Sequence, residues 1–229
     1  MKIAITIDID WAPDKVLAYT LELFAKTGVP CTLFATHSTS LLNGLDKCQF
    51  EVGVHPNFNP LLNGDSRKPM EIVSPLREAF PHAHGIRSHS SLVSNVLIEM
   101  FGELGFLYES NICLPYSRNL EVLPLWNGMV RIPFNWEDYL HFSFGNSFQN
   151  TGLDFSAGIN ILNFHPIHIY LNTETRERYK GARPFYQDPE HLKGFRYLGK
   201  GTATILEDLL GSEYQFVKLE DVLNEYKRE

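Results

Sequence analysis

At 229 residues and 26.2 kDa, with 44% hydrophobic and 21% charged residues, the chain has a globular composition that excludes disordered, collagenous and coiled-coil classes. Its net charge of -7, from 20 basic and 27 acidic residues, leaves no basic surplus to displace counterions, so nucleic acid is excluded as a main partner. No apolar run approaches the roughly 20 residues that a transmembrane segment needs. The chain passes from Lys2 straight to Asp8 and Asp10, unlike a secretory leader, and a cytoplasmic location is expected. Cys31, Cys48 and Cys113 lack CxxC spacing and read as reduced core thiols.

In chain order, Lys2 to Ile9 alternates β-branched residues at period two and predicts a strand. Pro13-Asp14 opens a helix whose apolar positions repeat at helical spacing until Gly28, with Pro30 just beyond. Cys31 to Thr36 and Glu51 to Val54 are short apolar runs of strand length, the second ending in His55-Pro56. Leu92 to Leu104 predicts a helix stopped by Gly105, followed by the apolar Phe106 to Tyr108. Val130 to Ile132 and Ile159 to Phe164 are further strands, the latter running into His165-Pro166. A helix from Gly201 to Leu210 and a strand from Tyr214 to Lys218 complete the series. Strands alternating with helices imply a mostly parallel α/β sheet, open or closed into a barrel. No fixed-period repeat or low-complexity linker interrupts it, so residues 1–229 are read as one domain.

The polar residues Asp8, Asp10, His55, Arg87, His89, Trp136 and His165 fall at or just after predicted strand ends. The carboxyl ends of parallel strands form the ligand-binding rim of such folds. Asp8 and Asp10 are two apart, and residues i and i+2 of a strand face the same side. Two carboxylates aimed into one site repel unless a cation separates them; alternatively they form a turn that caps the following helix. His55 alone reads equally as a hydrogen-bonded core residue, and Gly85 to Ser90 as a polar loop.

Taken together in this order, the segments resemble the polysaccharide deacetylase (NodB-homology, carbohydrate esterase family 4) superfamily, in a divergent bacterial surface-glycan branch. Thr6-Ile-Asp-Ile-Asp10 is similar to its TFDD strand, and Glu51-Val-Gly-Val-His55-Pro-Asn-Phe-Asn-Pro60 to its E-[IV]-G-x-H-x-x-x-H-P segment. Gly85-Ile-Arg87 resembles its arginine motif, Arg131 to Asp138 its Trp/Asp motif, and Leu162-Asn-Phe-His165 its closing L-x-H motif. The resemblance implies a distorted (β/α) barrel and a metal-dependent hydrolase, most simply with Zn2+. The substrate it implies is an acylated amino sugar or glycan precursor carrying an acetyl or formyl group. It also implies Asp8 as general base, Arg87 as the group that steadies Asp8, Asp10 and His55 as metal ligands, and His165 as the acid. Trp136 would line the sugar pocket, with Asp138 a supporting partner, and Asn59 and His168 would also lie on the substrate side. No oligomeric state is assigned.

The chain departs from the family pattern at three places. Ile9 separates the aspartates, Asn59 replaces the second histidine of HxxxH, and Asp138 follows Trp136 at altered spacing. A neutral amide is a poor zinc donor beside imidazole. His89 lies two residues after Arg87, on the same side in extended backbone, and is therefore favoured as the third ligand over Asn59. Two other readings stand beside the hydrolase. One is a silent glycan-binding protein, suggested by the missing histidine. The other is a metal-free glycosidase, which a DxD pair on one strand face fits poorly because two such carboxyls do not straddle a sugar ring. The stretch from Asn172 to Arg196, rich in Arg and Tyr, reads as a lid insertion for an anionic or nucleotide-linked sugar, or as a solvated loop.

Overall fold

The structure, a computed structural model, describes residues 2–150 and 158–228. The first third contains β1 (Lys2–Asp8), α1 (Asp14–Thr27), β2 (Cys31–Ala35), β3 (Phe50–Val54), α2 (Asn59–Leu62) and α3 (Pro69–Ala79). Then come β4 (Gly85–Ile86), α4 (Asn95–Glu103), β5 (Tyr108–Glu109), β6 (Leu123–Pro124), β7 (Val130–Arg131), β8 (Trp136–Glu137) and α5 (Asp138–Ser143). The rest comprises β9 (Ile159–Phe164), α6 (Pro166–Leu171), α7 (Arg176–Ala182), α8 (Pro189–Leu192), α9 (Thr202–Leu210), β10 (Gln215–Val217) and α10 (Leu219–Tyr226). Among the described residues, no helix is long and apolar enough to cross a membrane.

The strands hydrogen-bond in the order β6-β7-β5-β4-β3-β2-β1-β9-β8, with β10 also on β1. Every pairing is parallel except β6 with β7. The sheet curls into a half-barrel backed by helices, as the deacetylase resemblance implies. β1 is its centre: Lys2 to Ile7 pair with β9, while Lys2 to Ala4 pair with β10 and Thr6 to Asp8 with β2.

Alternation along β1 divides the interior. Ile3, Ile5 and Ile7 are fully buried against Leu17, Leu21 and Phe24 of α1 and Leu206 of α9. Ala4, with Phe34, Ile161 and Val217, belongs to a second core on the concave side, against Leu219 and Val222 of α10. Thr6 and Asp8 continue that concave face toward the strand ends.

Of the helices of eight or more residues, two escape the sequence reading, as do the shorter α2, α5, α6, α7 and α8. α3 begins at Pro69 and contains Pro75, which disguise it, and Glu71 reaches back to accept from the Lys68 N–H at 2.7 Å. α10 follows β10 after a single residue and is capped the same way by Asp221 on the Lys68-equivalent position, Lys218 N–H, at 2.8 Å. α4 begins at Asn95 and not Leu92, because Ser94 caps it by accepting from Leu97 N–H. Cys31 is buried as expected for a core thiol, but Cys48 is exposed in the turn before β3 and Cys113 is half-buried.

A buried acid closes the floor of the half-barrel. Glu51 Oε1 accepts from the Tyr108 hydroxyl at 2.7 Å, and Oε2 from Thr32 Oγ1 at 2.8 Å and the Glu220 N–H at 2.9 Å. The start of α10 thus docks on β2 and β3. Gly85 makes room for this: a Cβ there would lie 2.1 Å from Tyr108 Cζ. Burial pushes the Glu51 carboxyl up to about 7, so the folded protein holds a proton that the unfolded chain has released. Its contribution to stability is therefore lost as pH rises from the ordinary glutamate range through 7. In Glu51→Gln an amide replaces this carboxyl without the charge. Denaturant titrations should find the variant more stable than wild type at pH 8 by on the order of 2–3 kcal/mol, with the gain vanishing near pH 4.5. A difference that ignores pH would mean that Glu51 does not titrate in this window.

Candidate active site

At the carboxyl end of the sheet a cavity of about 700 Å³ opens, a size suited to a small ligand. Asp8, the last residue of β1, stands in its wall with only 4% of its surface exposed. Arg87 Nη1 donates to Asp8 Oδ1 at 3.1 Å, and Asn163 Nδ2 to Asp8 Oδ2 at 2.8 Å. Burial opposes ionisation of Asp8, but Arg87, with His55 and His165, outweighs it and holds the carboxyl below its usual range. Arg87 is itself fixed: it donates to Ser110 O, Ser110 Oγ, Thr6 Oγ1 and Asn163 Oδ1, and its guanidinium lies between the rings of Phe34 and Phe134.

Asp10 lies beyond the end of β1. The chain turns there through two left-handed residues, Asp10 at φ 42° and Trp11 at φ 54°. The turn is held by Trp11 N–H donating to Thr36 Oγ1 and by the Tyr186 hydroxyl donating to Asp10 O at 2.6 Å. It brings Asp10 Oδ1 within 3.2 Å of His55 Nε2 and 3.0 Å of His89 Nδ1. Burial would raise the Asp10 carboxyl, but its bonds to His55 and His89 bring it well below the usual range. One ligand atom from each of Asp10, His55 and His89 lies within 4.8 Å of the others. A carboxylate and two imidazoles are a donor set suited to a divalent transition metal. His55 is buried and its Nδ1 has no hydrogen-bond partner among the described residues, 3.9 Å from Asp8 Oδ1. These residues fit a metal.

Across the cavity, His165 precedes α6. Its Nδ1 is 2.7 Å from Asp138 Oδ1, and its backbone N–H donates to Asp138 Oδ2 at 2.8 Å. Burial disfavours the imidazolium, yet Asp138, followed by Asp10 and Glu137, raises the His165 pKa well above the ordinary value. With Nδ1 committed, Nε2 is the free ring nitrogen, 3.8 Å from Asp10 Oδ2. His168 has the opposite fate: burial pushes it down to about 4, with its Nδ1 3.2 Å from Thr173 Oγ1. Asp138, His165 and His168 also cluster closely enough for a metal. Both Asp138 oxygens are already taken by His165, however, so this group is a hydrogen-bonded acid–imidazole pair.

The structure thus brings Asp8, Asp10, His55, His89, Arg87 and His165 together, with His168 on the same cavity wall. Two of the expected substrate-side residues, Trp136 and Asn59, do not line the cavity. Trp136 is 1% exposed, packed on Phe164 and His141 in the helix-backed core, because strand alternation sends it to the convex face. Asp138, buried behind His165, holds the supporting place expected of it without lining the cavity. The Asn59 amide donates to Ser90 Oγ at 3.1 Å, and Ser90 takes the place on the wall. The stretch 172–196 is packed as short helices and contributes Tyr179, Arg183 and Tyr186 to the cavity wall.

Sequence reasoning passed over Asn163, Glu137 and Tyr186. For the first two a signal existed: Asn163, like Asn160, is a polar residue in a strand otherwise built of apolar ones, and Glu137 alternates with the buried Trp136. Tyr186 reaches Asp10 from 176 residues away, and nothing local marks it.

Residues 5–183 match the family described as WbmS-like polysaccharide deacetylases. A solved structure from Bordetella bronchiseptica, described as a candidate polysaccharide deacetylase involved in O-antigen biosynthesis, is 40% identical with a TM-score of 0.86. The alignment covers 91% of this chain and 89% of that one. A candidate polysaccharide deacetylase from Mycobacterium smegmatis shares the fold at 15% identity and a TM-score of 0.58, over 99% of this chain and 90% of that one. So does a 4-alpha-glucanotransferase from Thermococcus litoralis, at 9% identity and a TM-score of 0.56, over 98% of this chain and 38% of that one. No curated protein matches significantly. Motifs, half-barrel and alignments agree: the chain belongs to the WbmS-like polysaccharide deacetylase family.

Proposed function

We propose that the protein is a divalent-metal-dependent hydrolase that removes an N-acyl group, acetyl or formyl, from an amino sugar of a surface glycan or its precursor. One observation carries this reading. A carboxylate held ionised (Asp8) and an imidazole held protonated (His165) share one cavity with the Asp10–His55–His89 cluster. A base, an acid and a metal-ligating set are what amide hydrolysis needs, whereas a glycan-binding module needs none of them.

Asp10, His55 and His89 would hold the cation, with zinc the best match to the donors. When bound, it supplies Lewis acidity toward an amide carbonyl and acidifies water. Asp8, steadied through both oxygens by Arg87 and Asn163, accepts the proton of the attacking water. As the carbon–nitrogen bond breaks, its electron pair stays on nitrogen, which takes a proton from His165 Nε2. Asp138 holds that imidazole by Nδ1 and keeps it charged beforehand. His168, with its pKa near 4, carries no proton to give at neutral pH. The O-antigen context of the Bordetella relative supports a surface glycan as the destination.

Metal analysis of protein purified without chelator, together with turnover of N-acylated amino sugars, tests the reading. Asp8→Asn should abolish turnover and keep the metal, whereas Asp10→Asn should lose both. Equal metal loss in the two variants would refute this division of roles.

His89→Ala should strip the metal, while Asn59→Ala should retain most of it. The reverse result, read by the same metal analysis, would restore Asn59 as the ligand.

His165→Ala should lower kcat by about two to four orders of magnitude, the usual scale for a positioned proton donor. The loss should shrink for substrates whose leaving group needs no proton. An unchanged rate on the amide would make His165 structural.

A further inference from the structure

Five polar side chains share one rung of the sheet. Glu51, Thr32, Thr6, Asn163 and Glu137 are register partners across β3, β2, β1, β9 and β8, so all point to the concave face. Four are bonded within the protein: Thr32 to Glu51, Glu51 to Tyr108, Thr6 to Asn163 and Asn163 to Asp8. Glu137 ends the rung on the edge strand, and among the described residues no hydrogen-bond donor serves its carboxyl.

Glu137 nonetheless lines the cavity, beside Cys113, Tyr139 and His165. The charged groups that act on it are His165, Asp138, Asp8 and Arg87, and each of these is already hydrogen-bonded to another residue. This half-buried carboxyl reaches the open cavity with no donor from the described residues, so its hydrogen bonds are left to whatever fills that space. Burial has pushed this one up to about 7, the response of an acid whose environment offers too little to its charge.

We propose that Glu137 is a sugar-binding residue of the site. It accepts a hydrogen bond from a hydroxyl or ammonium group that the substrate carries near the scissile amide. The subsite therefore selects sugars bearing a donor at that position. It rejects those bearing a carboxylate or phosphate there, because such a group would face Glu137 and the acids around it. The identity of the amide rests on the deacetylase reading above, but the subsite itself does not.

The test is a binding measurement that requires no turnover. Zinc-supplemented wild type, Glu137→Gln and Glu137→Leu are titrated calorimetrically with N-acetylglucosamine and with glucosamine, and metal content and melting temperature are recorded for each. Glu137→Leu should weaken binding by about ten- to a hundredfold while the metal content stays unchanged, the range for losing a hydrogen bond to a charged group. A loss for both sugars identifies a hydroxyl donor. A loss for glucosamine alone means that Glu137 pairs with the amine of the product and not with a substrate group, and overturns the proposal. Equal affinity of all three proteins for both sugars, including no measurable binding by any, overturns the proposal, and Glu137→Ala, which also lacks the acceptor, carries the test if the Leu variant does not fold. Turnover separates the two readings: hydrolysis with a KM unchanged in Glu137→Leu sinks this inference and leaves the deacetylase. Glu137-dependent binding without hydrolysis of any acylated sugar does the reverse.

Discussion

Arg87 is a guanidinium with 1% of its surface exposed, and the carboxyl end of the sheet is organised around it. Taking such a charge out of water costs several kcal/mol unless its donors are met. Here they are met by Thr6 and Asp8 of β1, Asn163 of β9, and the Ser110 hydroxyl and carbonyl just after β5. Two phenyl rings occupy its faces, so no water is needed there. The same contacts that satisfy the arginine pin three strands of the half-barrel in register and point the Asp8 carboxyl into the cavity. Losing any one of them would leave a buried charge short of a partner and loosen the site from below.

The cavity separates its ionisable groups by environment. Arg87 and Asn163 act on Asp8, the imidazoles of His55 and His89 on Asp10, and Asp138 on His165. Carboxylates and imidazole within one small space are thereby driven toward opposite protonation states, as a site with both acid and base duties requires. His168 shows the contrast: it sits next to His165 but has no carboxylate hydrogen-bonded to it, and burial, with the charge on His165, outweighs Asp138 and Asp10.

Much of this was legible in the sequence where local pattern and geometry coincide. Period-two alternation located β1, a short apolar run located β9, and the placement of polar residues just beyond strand ends identified which side chains converge. The reading weakened where the chain leaves regular geometry. A strand pleat would aim Asp10 beside Asp8, but β1 stops at Asp8 and a left-handed turn does the aiming instead. At β8 it was the resemblance that put Trp136 in the sugar pocket, whereas Trp136 and Glu137 must face opposite sides of the strand and the larger apolar residue takes the helix-backed one. α3 and α10 went unread because two prolines and a one-residue connection hide their starts. Tyr186 could not be inferred at all, since its partner is fixed only by tertiary structure.

That tyrosine ties two parts of the molecule that would otherwise vary independently. Its hydroxyl holds the carbonyl of Asp10, a residue in a left-handed conformation that a non-glycine residue seldom adopts unaided. The segment carrying Tyr186 also lends Tyr179 and Arg183 to the cavity wall. Divergence of this segment toward a new glycan is therefore not free of the chemistry beneath it. Insertions or deletions that displace Tyr186 would relax the Asp10 turn, so natural variants with altered wall loops should either keep an equivalent donor or replace the turn as well. The shape of the wall and the geometry of the Asp10–His55–His89 cluster are mechanically linked here, and they should drift together among descendants of this chain.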